Sequence, residues 1–90
     1  MLKSVITVMG KDGVGIIARV SALLAKNNDN IIDITQTTSE NRFFMVMVVD
    51  MGKATVSFSN IAAELHAIGE ELEQRIQVRH KKVYDSMHRI

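Results

Sequence analysis

The sequence contains no cysteine, no proline and no tryptophan. Without cysteine there is no disulfide framework, thiolate metal site, iron–sulfur cluster or cysteine nucleophile, and a reducing, cytoplasmic setting is expected. Aromatic residues are few, 3 Phe and 1 Tyr, so the core must come from Val, Ile, Leu, Ala and the 6 Met, and stacking platforms for bases are scarce. Long apolar runs are also missing. The longest, Phe43 to Val49, is too short for a membrane-spanning helix, and the apolar stretch after Met1-Leu2-Lys3-Ser4 is too short for a signal segment. The expectation is a soluble protein with no membrane partner.

What is present is balanced. Eleven Lys+Arg against 10 Asp+Glu give a net charge of +1, which supplies no bulk attraction for a polyanion and disfavours nucleic acid as a partner. Locally the balance fails: Glu64, Glu70, Glu71 and Glu73 form an acidic block, and Arg75, Arg79, Lys81, Lys82 and Arg89 follow it with Asp85 alone to offset them. A solvated basic edge facing the acidic block is the expected arrangement. Ninety residues make one domain with a small core, burying roughly 64% of the extended-chain surface, so a second copy would add stability.

Hydrophobic period divides the chain. Leu2 to Met9 is apolar on both faces and reads as an internal strand ending at Gly10. Ile16, Ile17, Val20, Leu23 and Leu24 recur at helical spacing, and Asn27-Asn28-Asp29-Asn30 stops that helix. Asn30 to Ser39 alternates, as an edge strand does; a short polar turn then leads to Phe43 to Val49, apolar on both sides and therefore central. Phe58, Ile61, Leu65 and Ile68 predict a second amphipathic helix, with Thr55 or Ser57 as N-cap and Gly69 as its stop. Leu72, Gln74, Ile76 and Val78 alternate in a fourth, edge-type strand, and Val83, Met87 and Ile90 place one stripe on a short terminal helix. The order β-α-β-β-α-β, with two buried-type and two edge-type strands, predicts an α+β ferredoxin-like sandwich with strand order 4-1-3-2 and both helices on one face.

Gly10-Lys11-Asp12-Gly13-Val14-Gly15-Ile16 places three glycines where a strand hands over to a helix. Glycines let backbone approach a ligand, and the free N–H groups of a helix start favour a carboxylate or phosphate; the same residues also suit a tight turn capped by Asp12. The spacing is neither G-x-G-x-x-G nor a Walker loop. His66, His80 and His88 show no ligand spacing with carboxylates, so no metal is expected, and Met45 and Met47 read as deformable core fillers.

Two motifs carry a family resemblance. Asp12-Gly13-Val14-Gly15-Ile16 resembles the D/N-x-x-G-[I/V/L] turn after the first strand of ACT domains, and Asn30-Ile31-Ile32-Asp33 resembles the opening of their second strand. The match runs from Leu2 to His80, with residues 81–90 as a helical extension, and the nearest likeness is to small stand-alone ACT proteins and the glycine cleavage repressor type. The resemblance implies a non-enzymatic regulatory domain binding a small ligand, an amino acid above all, at an interface of a homo-oligomer, a dimer in the simplest case. It implies no cofactor. It assigns ligand contacts to Asp12, Gly13, Val14, Gly15 and Ile16, with Asn30, Ile31 and Asp33 reaching them across the interface.

Two alternatives stand beside that reading. One is a regulatory subunit without ligand that docks on an enzyme or regulator. The other is an acylphosphatase-like hydrolase, which shares this kind of fold but needs an Arg in the first loop; here there is Lys11, which cannot supply a guanidinium fork.

Overall fold

β-Branched and methionine side chains alternate along the two central strands, and their inward sets meet under two helices. The computed structural model describes residues 3–11, 15–53 and 55–87, with the backbone alone at Met87. The elements are β1 (Lys3–Lys11), α1 (Ile16–Lys26), β2 (Asn30–Ser39), β3 (Arg42–Asp50), α2 (Phe58–Leu72), β4 (Gln74–His80) and α3 (Lys81–Met87). The sheet is antiparallel at every pairing and runs β2-β3-β1-β4, the order expected for a ferredoxin-like fold.

Residues paired across antiparallel strands share a face, so the register sorts the side chains. Ile6 opposite Met47 and Val78, and Val8 opposite Met45 and Ile76, lie on the covered face. There they join Phe43 and Val49 of β3, Ile16, Val20 and Leu24 of α1, and Ile61, Leu65 and Ile68 of α2 in one core. The other face carries Lys3, Val5, Thr7, Met9 and Lys11 of β1 against Asp50, Val48, Val46, Phe44 and Arg42 of β3. α3 packs on β1 and β4, and Val5 on this second face is only 2% exposed. Val83 of α3 stays about half exposed, and Ile90, the end of the expected stripe, lies outside the described residues.

β2 and β3 are joined by Glu40 and Asn41, both at positive φ (48° and 67°). Two left-handed central residues make the turn that matches strand twist, and it fixes Ser39 opposite Arg42. Further along, Ile31 pairs with Val49 and Asp33 with Val48, leaving Ile32 as the extra residue of a bulge. Ile31 and Ile34 thereby share the covered face, while Asn30 and Asp33 share the open one. β2 has a free edge, and Ile32 and Ile34 are exposed on it.

The boundaries of α2, β4 and β1 differ from the sequence expectation, and β3 is one residue longer at each end. α2 has as its N-cap Ser57, one of the two residues expected there, whose Oγ accepts from the Asn60 N–H at 3.2 Å, but it does not stop at Gly69. It continues to Leu72 and is terminated by Glu73 in the left-handed region (φ 57°), so Leu72 belongs to the helix and not to β4. Gly69 is needed where α2 crosses the start of β4 closely. Likewise β1 runs through Gly10 to Lys11, because the missing side chain at Gly10 leaves room for that of Gln74, whose Nε2 donates to the Lys11 carbonyl at 2.8 Å.

Candidate functional site

α1 starts at Gly15, which has φ 84° and donates no capping side chain; no acidic residue stands in the first turn. The first amides of the helix therefore have no side-chain acceptor among the described residues, and the helix dipole adds to their preference for an anion. Nothing lies within 4 Å of where a Gly15 Cβ would sit, so glycine is required here by the backbone angle rather than by crowding. The Ile16 side chain is buried in the core, which leaves only its main chain for a ligand. Asp12, Gly13 and Val14 lie outside the described residues.

Asn30, Ile31 and Asp33 open β2 at the other end of the sheet. Lys11, Arg42 and Ser39 form one transverse row; Lys3, Asp50 and Asn30 form another, eight residues away along β1, which is roughly 25 Å at the rise of an extended strand. Within one chain Lys11, the last described residue before the first loop, and Asn30, at the start of β2, stand at opposite ends of the sheet. Asn30 and Asp33 are exposed, and Ile31 is half-buried.

Behind Asn30 the α1–β2 connection is tied to the β3–α2 connection. Asn27 accepts from the Thr55 N–H at 2.9 Å, and the Asn28 amide donates to the Lys53 carbonyl at 2.9 Å. Asn27 is buried and its side chain donates to the Leu23 carbonyl at 3.0 Å. Asp29 is 8% exposed, its backbone N–H reaches the Leu24 carbonyl at 2.9 Å, and neither carboxylate oxygen has a partner among the described residues. Burial pushes this carboxyl above its ordinary value. The sequence reading missed Asp29, because four consecutive polar residues look like a solvated stop.

The charged residues near the end of α2 and along β4 and α3 are partly paired. Glu71 pairs with Arg19 of α1, Glu70 with His66 at 2.8 Å, and Lys81 with Asp85 at 2.6 Å, while Arg75 points with Met9 to the open face of the sheet. A groove of about 560 Å³ runs between the end of α2 and β4, walled by His66, Glu70 and Glu73 on one side and Arg75 and Gln77 on the other. No group of His, Asp and Glu able to hold a metal occurs among the described residues. No helix among them is long and apolar enough to cross a membrane.

An ACT domain family model matches residues 4–79, nearly the whole chain and all four strands. The chain belongs to the ACT domain family. It is 44% identical over 90 residues to a UPF0237 protein of Methanocaldococcus jannaschii, with all of both chains covered. Among solved structures, an ACT domain protein from Streptococcus pneumoniae superposes with a TM-score of 0.79 at 34% identity, covering 93% of this chain and 94% of that one. A candidate glycine cleavage system transcriptional repressor superposes at 0.71 with 26% identity, over 88% of this chain and 45% of the other. This ACT domain thus has relatives of its own length, and it also resembles a part of larger proteins.

Proposed function

We propose that this ACT domain is a non-enzymatic regulatory module that binds a small zwitterion, an α-amino acid, between two copies of itself. What supports it is that Lys11, leading into the first turn, and Asn30 and Asp33, near the start of β2, stand at opposite ends of a sheet whose β2 edge is free. If the β2 strands of two copies run antiparallel side by side, the start of each lies beside the end of the other. Asn30 and Asp33 of one copy then approach the first loop of its partner, and the symmetry makes two equivalent sites. The α1 amides suit the carboxylate, and Asp33 and Asp12 suit the ammonium. The exposed Ile32 and Ile34 give the edge apolar area to bury on association.

A melting screen of the dialysed protein against the amino acids, with mass measured in solution, tests this. A ligand at 100 times its Kd adds about 2.7 kcal/mol, an unmistakable shift. The expected result is a dimer stabilised by one or a few amino acids, with the effect weakened in Asn30→Ala and in Gly15→Val. Gly15→Val also strains a positive-φ position, so Asn30→Ala is the cleaner variant. A folded dimer whose melting is unmoved by every amino acid favours instead a regulatory subunit that docks on an enzyme or regulator without ligand.

A further inference from the structure

The face of the sheet away from α1 and α2 has features that the edge reading does not use. Met9 and Phe44 stand directly opposite each other on the two central strands and are 44% and 41% exposed. One row further, Lys11 stands opposite Arg42, and Arg75 is opposite Met9 on its other side. Like charges directly across a strand pair repel, yet none of these three cations has an ion-pair partner among the described residues. The carboxylates of this face, Asp33 and Asp50, lie at the opposite end of the strands.

The surface is also indented. A recess of about 160 Å³ lies beside Phe44, with Met9, Thr37, Ser39 and Arg42 in its wall. A second, of about 240 Å³, lies across Met9, between Thr7 and Arg75. Together they are about as large as the lower end of small-molecule sites. Apolar area at the floor, hydroxyls at the side and, at one rim, cations with no ion-pair partner among the described residues form a site with a polarity: a flat apolar body on Met9 and Phe44, and a negative group toward Lys11, Arg42 and Arg75.

We infer that this open face is a second binding site, for a small anion with a planar apolar body, an aryl carboxylate or aryl phosphate. It adjoins the half-site of the first turn, into which Lys11 leads, but every residue named in it belongs to one copy. Its ligand class differs. A zwitterion suits the paired signs of the edge site, whereas Lys11, Arg42 and Arg75 have no ion-pair partner among the described residues and favour an anion.

The probe is 3-phenylpropionate, with 3-phenylpropylamine as the same body of opposite charge, titrated into the full chain while the Met9 methyl and the Phe44 and Arg42 amides are followed by NMR. The expected result is saturable shifts confined to this face, with the carboxylate at least fivefold tighter than the amine. Arg42→Gln and Lys11→Gln should each weaken the carboxylate by roughly fivefold, the scale of one exposed charge contact. Phe44→Ala should weaken both probes, and Asn30→Ala neither, so this site and the edge site fail separately. Amide dispersion of each variant reports its folding. Equal affinity for the two probes, shifts elsewhere, or indifference to Arg42→Gln and Lys11→Gln in folded protein overturns the inference. So does finding that Phe44→Ala lowers the mass in solution while the probe leaves Met9 unmoved, since a second copy would then cover the face.

Discussion

Gly69 of α2 meets the main chain of Gln74 so closely that a β-carbon on the glycine would stand 2.6 Å from the Gln74 carbonyl oxygen. The obstacle is backbone in the same turn region that ends the helix, and it cannot rotate away. Helix propensity alone favours Ala over Gly by about 1 kcal/mol, so the sign of the change is informative. Gly69→Ala should destabilise by about 2 kcal/mol or more, seen as a lower Tm in thermal melts. Gly10→Ala should cost less, because the atom it meets is the far end of the Gln74 side chain.

The Ser57 hydroxyl caps the start of α2 by accepting from the Asn60 N–H. Ser57→Ala leaves the Asn60 N–H without its side-chain acceptor and should cost about 1 kcal/mol, a drop of several degrees in Tm. Ser57→Asp should retain most of the stability.

Asp29 makes stability depend on pH in the sense opposite to most carboxylates. Its folded-state pKa is raised above the ordinary value of 3.8 by burial, so the folded protein holds the proton more readily than the unfolded chain. The charged form weakens the fold near neutrality; that penalty lifts as pH falls through the folded pKa and is gone below 3.8. Asp29→Asn should therefore raise Tm at pH 7, and the gain over the unaltered protein should shrink on acidification. Paired melts across that range check it.

Ile34 projects from the free β2 strand, and a charge there disfavours strand addition. Ile34→Lys should weaken self-association by tenfold or more, in keeping with the ~1.5 kcal/mol attached to burying such a side chain, while the monomer stays folded. Light scattering over a dilution series reads the change.

Much of the fold is legible in the residues. Asn30 to Ser39 alternates and is the exposed edge; Phe43 to Val49 is apolar throughout and is central. Ile16, Val20 and Leu24, spaced by four, all reach the core. What escapes is set by contacts between distant segments. Gly69 has the composition of a helix stop, but its role depends on Gln74 passing beneath it. Asp29 is polar in a polar run, and only the docking of the β3–α2 connection buries it. For the candidate site, the motifs name two groups of residues, whereas the separation of Lys11 from Asn30 along the sheet follows from register, which no single segment encodes.

The bulge at Ile32 turns this last point into a statement about chain length. Because Ile32 has no partner across the ladder, Asn30 and Asp33, three apart in sequence, emerge on one face, and Ile31 and Ile34 on the other. Side chains at position 32 can vary without disturbing that assignment, but removing the residue would invert every side chain on one side of the deletion relative to the other. At this point of the chain the number of residues is constrained more tightly than their identity.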